Sequence, residues 1–295
     1  MSNSSAVKKN LLILHFTVLI WGFTGILGAL ISIDAVQLVW FRVMIASLTL
    51  LGYFKLSRTS IKVSKRQFLA FFFTGSIVAI HWILFFHAIK ISTVSVVLVC
   101  MSSVTLFTAI LEPIIKKQAI LGTDILVGIL IICGIYLIFK FESQHTLGIV
   151  LGLISAFCAA LFATINSTLV QKSDPKIIGF YEITGAFFWV SIYRISTGEM
   201  TIAQFDLSTT DWIYLFILGT ICTALAYVAG VSVMRTLSAF RVALITNLEP
   251  VYGILLAFLF FGKREAMSLG FYLGATIILG AVFLYPVYKK RKNLQ

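Results

Sequence analysis

Residues 241–262 read RVALITNLEPVYGILLAFLFFG, which places Thr246-Asn247-Leu248-Glu249-Pro250 in the middle of an apolar run. A run of about 20 apolar residues is long enough for a helix to cross a bilayer. A carboxylate within it costs roughly 2.5–3.5 kcal/mol even on a lenient insertion scale, and Pro250 removes a backbone hydrogen bond. Both costs are tolerated where a helix lines a buried or water-filled cavity. The stretch therefore predicts a membrane helix beside a polar cavity.

The composition of the whole chain also indicates a membrane protein. Of its 295 residues, 60% are hydrophobic and 12% are charged, whereas a soluble domain has about 25% charged residues. The net charge of +12 comes mostly from short loops and the two ends, which indicates membrane topology rather than a nucleic-acid partner. The four cysteines stand in apolar runs without metal-binding spacing. We therefore expect no metal site and no cofactor.

Ten apolar segments follow one another along the chain, and each could cross a bilayer core of about 30 Å as a helix. Most basic residues fall in loops on the side that both chain ends share when the number of spans is even. Since basic loops stay in the cytoplasm, both termini are predicted to be cytoplasmic. The predicted fold is all-α, a polytopic membrane protein with ten transmembrane helices. The segments are 11–31, 36–54, 67–89, 93–115, 120–140, 147–169, 177–195, 211–234, 238–261 and 267–288.

An internal repeat divides these segments into two halves. Residues 92–139 align without gaps on residues 238–285 at a shift of 146, and with a small gap Gly75 pairs with Gly219. Because each half holds five spans, the second half must insert upside down. Inverted repeats let a transporter expose one central site to either side of the membrane. The two predicted units are residues 11–140 and 147–288.

Three motifs carry a resemblance to a known family. They are LIWGFTGILGALI in span one, WFRVMIASLTLL in span two, and LEPVYGILLAFLFFGKREAMSLGFYLGATIILGAVFLY at the end of the chain. Together with the ten spans, they resemble the drug/metabolite transporter superfamily, in its branch with two EamA-type repeats. The resemblance implies export of small metabolites, including amino acids, and of drugs across the bacterial inner membrane. The acidic residue that usually follows Gly262 is replaced by Lys263, and Glu265 stands further on.

Polar and aromatic residues from several spans are expected at similar depths. Counting about 1.5 Å per residue from the span ends places Glu249 and Trp21 near the midplane, and Arg42 and His81 in the outer half. Ser103 is the repeat counterpart of Glu249, so it lies near the midplane too. This convergence predicts a central substrate site, formed by Glu249, Arg42, Asn247, His81, Trp82, Trp21, Ser103 and Tyr227.

Each of these residues also has a structural interpretation. Glu249 could pair with an arginine or a hydroxyl, and Arg42 could form an ion pair with Glu249 or extend to the interface. In a binding role, Arg42 would hold a substrate carboxylate through two hydrogen bonds. His81 could be an interhelical, hydrogen-bonded histidine, and the aromatic residues could pack or lie at the interface.

Glu182 and Arg241 form a second predicted set. In a coarse alignment of the repeats, Glu182 falls opposite Arg42, so that inversion puts these two at mirrored depths. Arg241, near the inner end of span nine, lies at a better height to pair with Glu182. We therefore predict an ion pair between Glu182 and Arg241 that forms or breaks during gating.

These features favour a secondary transporter that works by alternating access. The chain has no GxxxxGK[ST] loop, which excludes ATP hydrolysis. Glu249 could exchange a proton for substrate, or it could bind a substrate amine while Arg42 takes the carboxylate. The expected partners are a small-molecule substrate, membrane lipid and, in the first case, protons. The chain is expected to act as a monomer or homodimer.

The alternatives need features that the sequence lacks. An exchanger of nucleotide sugars or sugar phosphates, from the same superfamily, usually needs several basic groups, and only Arg42 and Arg241 stand deep in the spans. An intramembrane enzyme would need HExxH, a nucleophile turn or paired aspartates, and a channel would need a filter or pore ring. We therefore expect no enzyme.

Overall fold

The computed structural model describes the backbone of residues 2–119 and 122–292, and the side chains of residues 7–119, 127–281, 283 and 284. Residues 120 and 121, the predicted start of span five, lie outside this description, as do the side chains at the predicted end of span ten. The helices are α1 (Ser2–Leu30), α2 (Ala35–Ser57), α3 (Lys65–Ile91), α4 (Val94–Met101), α5 (Val104–Lys116), α6 (Gly122–Phe141), α7 (Thr146–Leu169), α8 (Pro175–Ser196), α9 (Thr209–Gly219), α10 (Ala226–Val233), α11 (Ala239–Thr246), α12 (Leu248–Phe261) and α13 (Leu269–Lys292).

These helices match the ten predicted spans. Within the described residues, seven stretches are long and apolar enough to cross a membrane, and α6 and α13 contain the shorter apolar stretches Val127–Phe141 and Leu269–Ala281. The remaining helix, α8, carries Glu182 and Arg194 within its length. The regular structure of the described ranges is entirely helical. The protein is therefore an all-α polytopic membrane protein, and this prediction is confirmed.

Spans four and nine are each interrupted near the middle. Span four consists of α4 and α5, separated by a turn at Ser102 and Ser103, and span nine consists of α11 and α12, separated by Asn247 alone. At the repeat shift of 146, the turn in span four corresponds to residues 248 and 249, so the two breaks lie one residue apart in the repeat. Pro250 is the third residue of α12, where a missing N–H removes no bond within the helix. Span nine therefore breaks just before the proline rather than at it.

The packing of the helices repeats with the two halves exchanged. α3 packs against α7 and α8, and its counterpart span eight packs against α1 and α2. Span four packs against α7, whereas span nine packs against α1. α6 and α13, the last helices of the two halves, pack against each other. The halves are therefore interlocked, and the first helix of each half contacts mainly the other half.

Two glycines that the sequence alignment paired occupy equivalent crossings. A Cβ atom on Gly75 would lie 2.3 Å from the carbonyl oxygen of Glu182 in α8. A Cβ atom on Gly219 would lie 2.7 Å from Ile45 Cβ and 3.1 Å from the carbonyl oxygen of Arg42 in α2. Small residues of this kind let membrane helices approach closely. The two crossings thus place Arg42 and Glu182 at corresponding positions of the two halves.

Two carboxylates connect the halves at opposite ends of the bundle. We call the end at which α1 begins the proximal end, and the other the distal end. At the distal end, Glu265 accepts hydrogen bonds from the backbone N–H groups of Val94 (3.1 Å) and Ser95 (2.8 Å) in the first turn of α4. At the proximal end, Glu112 accepts from those of Ala239 (3.2 Å) and Phe240 (2.8 Å) in α11. These first-turn N–H groups have no partner within their helix and favour a negative charge.

Candidate functional site

A cavity lies between the two halves, at the level of the helix breaks. The centre of a water molecule can occupy about 120 Å³ of it, whereas one buried water needs about 10–15 Å³ by that measure. The space therefore suits a small organic molecule. Six of the eight residues predicted to bind substrate line it: Trp21, Arg42, His81, Trp82, Tyr227 and Glu249.

Arg42 is the basic group of this cavity. Its side chain is 2% exposed, and its guanidinium carbon lies 4.2 Å from the centre of the Trp82 ring. Its Nε donates a hydrogen bond to the hydroxyl of Thr223, while its Nη1 has no partner. A guanidinium with an N–H group left over can donate to a carboxylate.

Thr223, the hydrogen-bond partner of Arg42, lies in an unusual stretch of backbone. It lies in a π-helical turn, Thr220–Leu225, between α9 and α10. Its hydroxyl donates to the carbonyl oxygen of Leu218 at 2.6 Å, which leaves the lone pairs of that hydroxyl for Arg42 Nε. The sequence analysis missed Thr223, since a threonine in an apolar span has no distinguishing pattern. π turns inside α-helices occur frequently at functional sites.

Glu249 is the acidic group of the cavity. It is the second residue of α12, where the helix dipole favours a negative charge, and its side chain is 9% exposed. In the described part of the chain, the one ion pair within 4 Å joins Lys116 and Glu112. The pairing of Arg42 with Glu249, which the sequence left open, is therefore not formed here. The two opposite charges share the cavity without neutralising each other directly.

The rest of the wall is largely aromatic. His81 Nδ1 lies 3.0 Å from the carbonyl oxygen of Ser155, and the Ser155 hydroxyl donates to the carbonyl oxygen of His81 at 2.9 Å. His81 thus connects α3 to α7 and also lines the cavity. The rings of Trp82 and Tyr227 meet edge to face with centroids 5.8 Å apart. Phe85 and Phe162, which the sequence analysis did not single out, complete this apolar side.

Glu182 lies behind this wall rather than in the cavity. It is fully buried, and its Oε2 accepts hydrogen bonds from the Tyr227 hydroxyl (2.7 Å) and from Asn166 Nδ2 (3.0 Å). Arg241 is exposed, and its backbone N–H is capped by Ser238. The predicted pair of Glu182 and Arg241 is therefore absent from this structure. Asn166, which the sequence did not mark as functional, takes that place as a neutral partner.

Asn247 and Ser103 do not line the central cavity. Asn247 is buried and donates from Nδ2 to the Thr105 hydroxyl (2.6 Å) and to the carbonyl oxygen of Ala243 (2.7 Å). It thereby ties the break in span nine to α5. Ser103 is fully buried, and its hydroxyl has no hydrogen-bond partner.

Comparisons with known proteins identify the family. The model of the EamA-like transporter family matches twice, over residues 8–140 and 146–285. An uncharacterized transporter of Archaeoglobus fulgidus is 23% identical over 287 residues, which cover 94% of this chain and 97% of that protein. A second uncharacterized transporter of that organism is 23% identical over 151 residues, covering 51% and 52% of the two chains.

The crystal structure of another protein shares the fold. It matches with a TM-score of 0.71 at 10% identity, covering 95% of this chain and 98% of the other. At this identity, the match shows the fold alone. The two family matches span nearly the whole chain, and the curated relatives are transporters. The chain therefore belongs to the EamA-like transporter family and is a membrane transporter of the drug/metabolite superfamily, not an enzyme.

Proposed function

We propose that this transporter exports small amphipathic metabolites, amino-acid-like or drug-like, by alternating access. The observation that carries the proposal is the unpaired placement of Arg42 and Glu249 in one cavity. A zwitterion has opposite charges that two such groups can hold at once. The free Nη1 of Arg42 would take a carboxylate, and Glu249 would take an amine or a proton.

The aromatic wall supports the same class of substrate. Trp21, Trp82, Phe85 and Phe162 give the cavity apolar surface beside its two charges. Small-molecule sites commonly combine apolar walls with a few polar groups that fix orientation. An exchanger of nucleotide sugars or sugar phosphates is the second candidate. It is favoured less because Arg42 is the one Lys or Arg side chain on the described wall.

The reach of the cavity along the bundle supports alternating access. Its lining runs from Arg42 and Phe85 to Met234 and Ala239, which belong to the proximal end. We assign this end to the cytoplasm because its loops are rich in basic residues, and the membrane to the bacterial inner membrane by analogy with the family. A cavity that extends in that direction suits the loading step of export. Exchange of conformations between the inverted halves would then open it to the distal side.

Substrate binding to purified protein tests the proposal. A thermal-shift screen against amino acids, purines and nucleotide sugars should identify stabilising ligands, since a ligand of the folded state raises its stability. For a zwitterionic ligand, Arg42→Lys should weaken binding about 10- to 150-fold, as expected for the loss of charged hydrogen bonds worth about 1.5–3 kcal/mol. Exchange of labelled ligand across liposomes then distinguishes a carrier from a channel.

Arg194→Lys is the matched control. Arg194 is also buried, and its guanidinium lies 5.9 Å from the centre of the Trp40 ring, but it is not on the cavity wall. This variant should bind the ligand as the wild type does. Equal binding by Arg42→Lys and the wild type, or stabilisation by nucleotide sugars alone, would refute an amino-acid-like substrate.

A further inference from the structure

A second, smaller cavity lies between the two helix breaks. The centre of a water molecule can occupy about 20 Å³ of it, which is enough for one water-sized particle. Its wall contains residues from the ends of α4 and α11 and from the starts of α5 and α12. The side chains on this wall that carry oxygen are those of Ser102, Thr246, Asn247 and Glu249.

Two of these side chains each carry a buried polar atom without a partner. Ser102 is 1% exposed and Asn247 is 3% exposed, and the Ser102 hydroxyl and Asn247 Oδ1 make no hydrogen bond. The orientation of the Asn247 amide follows from its neighbours, because the carbonyl oxygen of Ala243 can only accept and therefore faces Nδ2. A buried polar group without a partner costs about 1–3 kcal/mol. Both residues line the small cavity, so a ligand held there would supply the missing partners.

The donor set of this cavity restricts what the ligand is. It offers oxygen atoms and one carboxylate, Glu249, which has no hydrogen-bond partner among the described residues. Soft metals prefer nitrogen and sulfur ligands. Ca²⁺ takes six to eight oxygens, and Mg²⁺ keeps several waters, for which a one-water space has no room. The carbonyl ends of α4 and α11 meet the N–H ends of α5 and α12 at this cavity, so the helix dipoles largely cancel and Glu249 sets the charge. These conditions suit a dehydrated monovalent cation.

From this geometry we infer that the small cavity binds one Na⁺, held by Ser102, Asn247 and Glu249. Na⁺ is smaller than a water molecule and is a hard cation that prefers oxygen. Its charge matches the single carboxylate. The occupied site would join the break in span four to the break in span nine.

The site would also couple ion and substrate, and this consequence rests on the proposed function. Glu249 lines both cavities, so Na⁺ on one side changes the charge that a substrate meets on the other. With Na⁺ beside Glu249, Arg42 becomes the dominant charge of the central cavity, which favours the carboxylate of a substrate. A Na⁺ gradient could then bias the exchange between the two conformations.

Thermal unfolding of the purified full-length chain, without substrate, tests the site. The chain is unfolded in NaCl, KCl and choline chloride at equal ionic strength. We expect Na⁺ to raise the unfolding temperature in a saturable manner, and choline to have no such effect. Ser102→Ala should weaken the apparent Na⁺ affinity at least tenfold, and Glu249→Gln should abolish the response. Ser95→Ala should respond like the wild type, because Ser95 is a buried α4 serine without a hydroxyl partner that lies outside the cavity.

Three outcomes would overturn the inference. They are equal unfolding temperatures in Na⁺ and choline, an unchanged Na⁺ response in Ser102→Ala, and a loss in Ser102→Ala that is the same in all salts, which would identify the occupant as water. Should the variants fail to fold, binding of ²²Na⁺ to the wild type, displaced by unlabelled Na⁺ but not by choline, takes their place. Absence of Na⁺ binding together with Arg42-dependent ligand binding would reject this site alone and leave the proposed function standing.

Discussion

The breaks in spans four and nine lie one residue apart in the repeat but differ in chemistry. In the first half the break carries Ser102 and Ser103, two buried neutral hydroxyls without partners. In the second half it carries Asn247 and then Glu249, whose carboxylate lines both cavities. The acidic group thus comes from the second half, whereas the basic group, Arg42, comes from the first. The repeat duplicates a backbone geometry, and substitution at matched positions makes one asymmetric site from it.

The strongest test of this asymmetry is Glu249→Gln. The substitution keeps the shape of the side chain and removes its charge. The flux of substrate into liposomes, driven by an ion gradient, should therefore fall by roughly 10- to 150-fold. This factor is the equivalent of about 1.5–3 kcal/mol for a charged hydrogen bond. In choline chloride, thermal stability should not fall, because the carboxylate that the substitution removes is buried without a protein partner. Loss of driven uptake with intact exchange would assign Glu249 to ion coupling, and loss of both would assign it to substrate.

Glu199→Gln is the control for this variant. Glu199 is exposed in the loop after α8, so its substitution should leave flux unchanged. If Glu249→Gln transported substrate as fast as the wild type, the carboxylate at the break in span nine would not take part in transport.

The glycine crossings provide the largest expected effect on stability. Gly75→Ala places a Cβ atom against two backbone atoms of α8, 2.3 Å from Glu182 O and 2.9 Å from Ala186 N, and helix backbones cannot yield locally. Gly219→Ala places its Cβ atom 2.7 Å from Cβ and Cγ2 of Ile45, which is a longer contact and one with a side chain. Overpacking typically costs about 1–3 kcal/mol, so we expect Gly75→Ala at or above that range and Gly219→Ala within it. The measurement is thermal unfolding in detergent, and a larger cost for Gly219→Ala would contradict the comparison.

Substitution of Glu112 and Glu265, the carboxylates that connect the halves, tests whether both ends of the bundle contribute equally to stability. Glu112→Gln and Glu265→Gln each weaken hydrogen bonds to helix N-termini, for an expected loss of about 0.5–2 kcal/mol per site. Glu112 also pairs with Lys116, so its substitution should cost slightly more. Unfolding of the two variants and their double variant measures this. If either variant were more stable than the wild type, its carboxylate would not stabilise the helix N-terminus that it contacts.

Ser103→Ala should have the smallest effect. The substitution removes a hydroxyl that is buried without a partner, so stability should change by less than about 1 kcal/mol or increase slightly. A loss of several kcal/mol, measured by thermal unfolding, would mean that the Ser103 hydroxyl stabilises the break in span four.

The sequence was sufficient for the architecture and for the charged residues of the cavity wall, Arg42 and Glu249. Apolar length and loop charge predict spans with little ambiguity, since a bilayer allows few alternatives to helices. Depth along a helix follows from counting residues, which brought Arg42, His81 and Glu249 to one level. Counting does not give rotation about the helix axis, so Ser103 and Asn247 were assigned to a cavity that they do not line. Nor could it give the partner of Glu182, because Asn166 on α7 is adjacent only through tertiary packing.

The π turn in span eight makes the two halves differ in backbone as well as in sequence. Its counterpart in the first half, α3, runs as one α-helix from Lys65 to Ile91, whereas the second half has the π turn Thr220–Leu225 between α9 and α10. The hydroxyl of Thr223 in that turn accepts the hydrogen bond from Arg42 Nε. The π turn thus sets the orientation of the basic group from a feature that only one of the two corresponding spans has, so a local change of helix type, as well as substitution, gives a duplicated fold two unlike sides.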